Sequence, residues 1–458
     1  MPTFFLRVQN KLNEIVFTSA GKEVMSRQFD IVVYGATGFT GKRVAKYLAE
    51  THKSLKVALS GRSEEKLSLL ANELGLPQEN VLVAPLDDHE ILTQALSKSR
   101  VVLACAGPYR HMGEEVVRAA IQAKTDYLDL CGEPQFFNDM LLKYDDDARA
   151  NQVLVISACA FDCVPAELTT KLACKEFNSR YENAEVTNLE VVHTFDGLES
   201  GNATTFHAAV DGFHAAINGE LASSRKKVQE KLKVVRVPIP PSWPKIASSP
   251  NLHPIFHPDT NSYLLKFVGA DAACILASDR YLRYRNDVDK YSKMKDKPHP
   301  RLSLCFGCPT KSAAYKTLAY GGVFSTLARY KWGCDLLHDK PALFTNGCFQ
   351  DGGPTDEQLS KGSFKTYCAA YGMSKEQSVK VTCEGPEPGY VATPRMIVAL
   401  ANTVLQNRTK IAFEGGVMLP GAAFGDCEEV YEMLEKEGVC FKVEDGSRNE
   451  LNNTDNAV

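Results

Sequence analysis

No other stretch constrains the fold of this chain as tightly as residues 29–41. Phe29–Tyr34 is an apolar run, Gly35-Ala36-Thr37-Gly38-Phe39-Thr40-Gly41 follows without a gap, and Lys42–Glu50 carries a helical pattern. A Gly-x-x-Gly-x-x-Gly string alone is moderate evidence. Directly after a strand and opening a helix, it reads as a dinucleotide-binding turn. Glycines leave out Cβ atoms, so the backbone turns tightly and approaches a pyrophosphate, and the helix N-terminus meets that anion with free N–H groups and its positive dipole end.

The units that follow keep step. Lys56–Ser60, Val81–Ala84, Val101–Ala106, Asp126–Leu130 and Val153–Ala158 read as further strands. Between them, Ser63–Leu74, His89–Ser97, Gly113–Ala123 and Phe136–Ala150 read as helices, the first capped by Ser63 with Glu64 and Glu65 in its first turn. Short apolar runs alternating with helices specify an α/β fold with a doubly wound parallel sheet, the Rossmann arrangement. A glycine turn of merely structural use needs no such sequel.

Beyond about residue 165 the pattern loosens. Glu190–His193 and Val234–Val237 read as strands. The basic run of residues 225–236 reads as a solvated helix face. Prolines recur from Pro238 to Pro258, a density no regular helix survives, so this is an extended loop. Residues 278–301 are densely charged and expected at the surface. Residues 392–408 read as a helix with Pro394 in its first turn.

The second strand says which dinucleotide. A fold that takes NAD places Asp or Glu about twenty residues after the glycine motif, on the ribose 2′-hydroxyl. This chain has Ser60-Gly61-Arg62-Ser63 there. A guanidinium pairs with a 2′-phosphate and hydroxyls donate to it, so NADP(H) is expected over NAD(H). Asp87, after the third strand, falls on the adenine side or caps a helix. Strand four ends in Cys105-Ala106-Gly107-Pro108-Tyr109, small residues and a Gly-Pro turn suited to a nicotinamide pocket wall. Tyr109, Arg110 and His111 follow where substrate would approach.

Composition excludes several classes. Lys plus Arg is 52 against 56 Asp plus Glu, a formal charge of −4, without the basic excess of a nucleic-acid binder. No uncharged run is long enough for a spanning helix. Fourteen cysteines diluted over 458 residues, many among apolar neighbours, read as free thiols in a reducing compartment. Cys305 and Cys308 form a lone C-x-x-C, and zinc needs two more ligands, so no metal site is expected. Residues 1–25 carry no secretory signal and read as a poorly ordered extension, with mitochondrial targeting the minority alternative.

The motifs FDIVVYGATGFTGKRVAKYL, LSGRSEEKL, CAGPYRHMGEEVVRAA, DYLDLCGEP, ISACAFDCVPAEL, GPEPGYVATPRMIV and GGVMLPGAAFG, in this order and spacing, resemble the saccharopine dehydrogenase-like oxidoreductases. The resemblance runs from about residue 29 to about 444. It implies an NADP-binding Rossmann domain over 26–165 and a mixed α/β substrate or interaction domain over 166–389. Residues 390–446 would return to the first domain, leaving 447–458 as a disordered tail. The family includes trans-acting enoyl reductases of glycolipid synthesis, and its eukaryotic members are associated with lipid droplets, mitochondria and membranes. The compartment stays open between mitochondrial, cytosolic and peripheral on such surfaces. Glu133, Asp162 and the Ser200–Thr205 loop match family positions near the expected substrate cleft. The loop departs from the family's Gly-Gly-Thr form at Ser200 and Asn202.

Two functions compete. The first is hydride transfer to or from an apolar, lipid-linked carbonyl, enoyl or imine substrate, with Tyr109 or His111 as proton donor and Glu133 or Asp162 orienting substrate. The second is a non-catalytic NADP(H)-binding protein of membrane or lipid-droplet surfaces. Residues 315–332 are aromatic and basic, with no acid between Lys311 and Cys334, as suits an anionic surface, the alternative being a core-facing helix. Authentic saccharopine metabolism would need basic residues such as Arg110 for a diacidic substrate. Tyr291/Lys295 and Tyr371/Lys375 match the Tyr-x-x-x-Lys string of short-chain dehydrogenases by chance. A homodimer is the expected assembly.

Overall fold

The computed structural model describes residues 15–17, 23–25, 27–198, 200–250, 252–285 and 294–444. Within the expected N-terminal extension, Ile15–Phe17 (β1) pairs antiparallel with Glu23–Met25 (β2). The alternation then runs β3 (Phe29–Tyr34), α1 (Phe39–Thr51), β4 (Val57–Gly61), α2 (Glu64–Glu73), β5 (Val81–Val83), α3 (His89–Leu96), β6 (Ser99–Ala104), α4 (Tyr109–Ala123), β7 (Asp126–Asp129), α5 (Pro134–Ala150) and β8 (Leu154–Ile156).

α6 (Val164–Arg180) leads into the second half. There follow β9 (Asn188–Asp196), β10 (Gly201–Asn202), α7 (Ala203–Ile217), α8 (Glu220–Lys231), β11 (Ile255–His257), β12 (Ser262–Lys266), α9 (Asp271–Tyr284), β13 (Arg301–Cys308), α10 (Lys311–Leu327), α11 (Lys331–Asp339), α12 (Pro341–Phe344), β14 (Phe349–Gln350), α13 (Asp356–Lys361), β15 (Ser363–Tyr371) and β16 (Ser378–Pro386). The chain ends with α14 (Thr393–Gln406), β17 (Gly416–Met418), α15 (Pro420–Ala423), α16 (Glu428–Lys436) and β18 (Cys440–Val443).

The first sheet is parallel throughout, in the order β17-β8-β7-β6-β3-β4-β5. Both its faces are covered, which is why its strands read as unbroken apolar runs: Ile31, Val32 and Val33 are all fully buried. Val33 belongs to one buried cluster with Val44 and Leu48 of α1 and Met396, Ile397 and Leu400 of α14. Val32 faces the other layer, with Leu92, Val116 and Val117. α14 and β17 are the returning segment: they cover one face of the sheet and add its last strand. β18 does not return with them. It pairs with β16 in the second, mixed sheet, ordered β11-β12-β13-β9-β15-β16-β18.

Several sequence expectations change in register. α1 begins at Phe39, inside the glycine motif, and α4 begins at Tyr109, four residues before the expected start. Residues 234–237 form no strand. The basic run is carried largely by α8, and Lys231 pairs with Asp146 at 3.1 Å. The charged 278–301 stretch is not uniformly exposed: Arg283 and Arg285 are buried, and Arg285 donates to the Tyr281 hydroxyl and the Gly415 carbonyl. All fourteen cysteines are free, and Cys305 and Cys308 are buried in β13. Among the described residues no cluster of His, Cys, Asp and Glu suits a metal ion.

Candidate active site

The glycine turn is closed by backbone contacts that only glycine permits. Gly35 has φ +77°, and a Cβ there would lie 2.9 Å from the Ala106 Cβ. A Cβ on Gly41 would lie 2.2 Å from the Gly35 carbonyl oxygen. Gly35 and Ala36 N–H donate to the Ser60 carbonyl at 2.9 and 3.2 Å, tying the turn to β4. Gly38 caps α1 with no side chain, so the first-turn N–H groups of α1, including those of Phe39 and Thr40, lack intrahelical acceptors. These donors and the dipole end form an anion cradle whose turn a Cβ at Gly35 or Gly41 would force open, and the residues present fit a dinucleotide pyrophosphate.

At the ribose end the residues part company. The Ser60 hydroxyl is fully buried and donates to the Leu82 carbonyl at 2.8 Å, so it is not available to a 2′-phosphate. Ser63 caps α2, accepting from Lys66 N at 3.4 Å. Gly61 is buried at the strand end. Arg62 is exposed and makes no ion pair among the described residues. The cap of α3 is Asp88, not Asp87, and Asp87 stays exposed. Tyr34 joins this corner. Burial pushes its hydroxyl up to about 12, Arg62 opposes the shift and Asp87 adds to it, so one ring senses both side chains.

At the other end, Ala106 packs on Gly35 and Pro108 caps α4. Tyr109 is buried. Its hydroxyl donates to the Ala104 carbonyl at 2.8 Å and accepts from Leu130 N at 3.1 Å. Burial first, then Asp129, drives its acidity well below that of a free phenol. Tyr109 is therefore a wall residue whose proton is committed, and not the donor expected. Glu133 is buried too: one carboxylate oxygen accepts from Tyr109 N at 2.9 Å and the other from Arg110 Nε at 3.0 Å. It holds the first N–H of α4 and anchors Arg110, so both of its oxygens serve structural contacts. His111 is exposed in the first turn of α4, without a side-chain hydrogen bond among the described residues.

Asp162 has the strongest chemistry. It follows β8, half-buried, and its Oδ2 lies 3.8 Å from where a Cβ on exposed Gly132 would stand. Burial, then the carboxylate of Asp271, raises its pKa well above the usual carboxyl range. Asp271 opens α9 and is fully buried, and its Oδ1 lies 3.6 Å from Nε2 of equally buried His193. His193 Nδ1 meets the Thr366 hydroxyl at 2.9 Å. Sequence reading missed Asp271 and His193, because each sits inside an apolar element like any core residue. Phe161, beside Asp162, packs on Phe195 and Phe364 with ring centroids 5.5 and 4.9 Å away, and Phe195 on Phe306 at 5.7 Å.

The Ser200–Thr205 loop reaches the glycine turn through one tyrosine. Asn202 caps α7, its side chain accepting from Thr204 N at 2.9 Å, which is what Asn does at this departure from the family pattern. Asn202 N and the Thr205 hydroxyl meet the Tyr390 hydroxyl at 2.8 and 2.9 Å, and the Tyr390 ring stands edge-on to Phe39 at 5.1 Å. The Tyr371 hydroxyl donates to Glu190 at 3.0 Å inside the second sheet. Tyr291 lies outside the described residues.

A parallel doubly wound sheet with an anion cradle after its first strand defines a dinucleotide-binding protein, of the class that serves oxidoreductases. Residues 31–156 match the saccharopine dehydrogenase NADP binding domain. Over 440 residues the chain is 30% identical to the lipid droplet localized protein of Caenorhabditis elegans, covering 92% of this chain and 99% of that one. It is 30% identical over 450 residues to the saccharopine dehydrogenase-like oxidoreductase of Mus musculus, covering 91% and 97%. Its fold matches apo saccharopine dehydrogenase (L-Glu forming) from Saccharomyces cerevisiae with a TM-score of 0.51 at 12% identity, covering 91% of this chain and all of that one. The chain belongs to the saccharopine dehydrogenase-like oxidoreductases, and its first domain is an NADP-binding domain.

Proposed function

We propose that this protein transfers hydride between NADP(H) and an apolar, lipid-linked carbonyl, enoyl or imine substrate, with Asp162 handling the accompanying proton. The observation that carries this is the half-buried Asp162 carboxyl beside Gly132, at the carboxyl ends of β7 and β8, where burial and then Asp271 raise its pKa well above the usual carboxyl range. A neutral carboxylic acid at pH 7 donates a proton to the atom that gains charge as hydride arrives. Bound NADP(H) supplies or accepts the hydride. Gly35–Gly41 hold the pyrophosphate, and Arg62, with Ser63 and Asp87 nearby, faces the adenosine ribose. The half-buried rings of Phe161, Phe195 and Phe306 give an apolar substrate a surface next to Asp162. Arg110 is held at this end of the crevice by Glu133.

The preference for NADP(H) over NAD(H) rests on Arg62, a free guanidinium where NAD-binding folds carry an acid. Calorimetric titration tests it. Wild type binds NADPH more tightly than NADH, and Arg62→Ala weakens NADPH by about tenfold or more while leaving NADH unchanged, as befits a lost charge-assisted pair. Equal affinities for the two cofactors remove the preference, and no binding of either removes the whole reading. With saccharopine, enoyl and lipid carbonyl substrates offered in turn, Asp162→Asn abolishes NADPH oxidation with NADPH binding intact.

A second reading concerns location. α10 is a 17-residue helix in which Ala314 is the buried residue, while Tyr315, Tyr320, Val323, Tyr330 and Trp332 are exposed around it. No helix among the described residues is long and apolar enough to cross a membrane. The exposed rings, with Lys311, Lys316, Arg329 and Lys331, support α10 and α11 lying on an anionic phospholipid surface such as that of a lipid droplet. Rescue of a cellular phenotype by Asp162→Asn favours a non-catalytic role at that surface, and loss of rescue favours the enzyme.

A further inference from the structure

We propose that Asp271, contributed by the second domain, is the positioning residue that keeps the proton on Asp162, so that the acid exists only where the two domains meet. This rests on the reading of Asp162 as the proton carrier. Asp162 lies in the first domain, on the link from β8 to α6, whereas Asp271 is the first residue of α9 and His193 belongs to β9 at the centre of the second sheet. Asp271 is fully buried, and neither of its carboxylate oxygens meets an N–H or hydroxyl donor. Nε2 of His193, 3.6 Å away, is outside hydrogen-bond distance and also lacks a partner.

The Asp162 carboxyl meets that of Asp271 in a side-chain hydrogen bond, and two carboxyl groups in direct contact hold one proton between them. The arrangement resolves if one proton bridges them: Asp162 then donates to Asp271, and the orphaned acceptor is satisfied. The cap of α6 meets α9 here, with the Cys163 and Cys274 sulfurs 2.8 Å apart, and burial pushes both thiols up, so they add no charge beside the pair. Asp271 also acts on Glu167 of α6, which burial raises. His193 is pinned away from a closer approach by Thr366 and by the rings of Phe161 and Phe267, with centroids 5.6 and 5.1 Å away. Of the two acids, Asp162 alone has accessible surface, so it is the one that can pass its proton to a substrate.

Infrared spectroscopy of the full chain, without substrate or cofactor, tests this. The carboxylic acid carbonyl band that Asp162→Asn removes is followed against pH in wild type and in Asp271→Asn. The expected result is a band present at pH 7 in wild type whose titration midpoint falls by at least one pH unit in Asp271→Asn. NADPH binding is unchanged, and the basic limb of any turnover moves down with the midpoint. Asp271→Ser gives the same shift if the asparagine variant fails to fold. An unmoved midpoint in a folded variant overturns the role of Asp271 while leaving Asp162 as the acid. Absence of the band in wild type overturns both.

Discussion

Gly41 shows how one missing Cβ decides binding. The clash its Cβ would make is with backbone, the Gly35 carbonyl at 2.2 Å, and backbone cannot swing aside as a side-chain tip can. Gly41→Ala must open the turn and spoil the alignment of the first N–H groups of α1. NADPH affinity is expected to fall more than tenfold by calorimetry. Gly212, inside α7, is the control, because a Cβ there meets nothing within 4 Å. Gly212→Ala leaves NADPH binding unchanged and raises stability by up to about 1 kcal/mol, the helix-interior difference between the two residues. If both substitutions weaken binding equally, the turn has no special role. The same scale separates the two carboxylates that sequence reading treated alike. Glu133 accepts from Tyr109 N and Arg110, one on each oxygen, whereas Asp162 meets the carboxyl of Asp271.

Among the elements, α10 is where sequence left two readings open, a helix on an anionic surface and a core-facing one, and most of it faces outward. Phe324 and Leu327 reach the small cluster formed with Phe206, Val210 and Leu337. Tyr330 stacks on Trp332 with centroids 5.9 Å apart, and both are more than half exposed. Replacing Tyr320 and Trp332 together by Ser removes aromatic surface worth roughly 1 kcal/mol per ring at an interface, so flotation with anionic vesicles should weaken about tenfold or more. Added salt should weaken it further, because Lys316, Arg329 and Lys331 act through a screened field. No flotation of wild type at low salt removes the membrane assignment. α4 teaches a different point. Its first turn takes in Tyr109, Arg110 and His111, and the extra turn commits the Tyr109 hydroxyl to the wall.

For the whole molecule, buried carboxylates set opposite pH limits. Burial pushes Glu190 up, but hydrogen bonds from His257 and Ser248 outweigh it and hold it at about 2. Asp279 is likewise held at about 2 by His299, Arg283 and Lys171 against burial. Folded values below the unfolded value near 4 mean stability that is present above pH ~4 and lost as pH falls toward 2. Asp129 and Glu167 run the other way. Burial raises Asp129 to about 6 and Glu167 to about 7, despite the hydrogen bonds each accepts. Their contribution is full below pH ~4 and fades as pH rises through 6 and 7. Thermal unfolding across pH should therefore show Glu190→Gln flattening the acid limb and Glu167→Gln flattening the slope between pH ~4 and 7. An acid limb unchanged in Glu190→Gln would assign that limb elsewhere.

How much of this was legible follows from where each signal is stored. The parallel sheet, the glycine cradle and Arg62 are local: each rests on residues adjacent in the chain, whose periodicity, missing Cβ atoms and charge declare themselves in sequence. That β17 and α14 return to the first sheet was legible only by resemblance, and that β18 stays with the second was not legible at all. Strand pairing is settled by which edge is free in space. The acid centre belongs wholly to the tertiary structure. Asp162, Asp271 and His193 are far apart in the chain, and nothing near Asp271 or His193 marks it off from a core residue. A carboxyl group becomes an acid at neutral pH only when burial and a second carboxylate are brought to it, and folding alone brings them together.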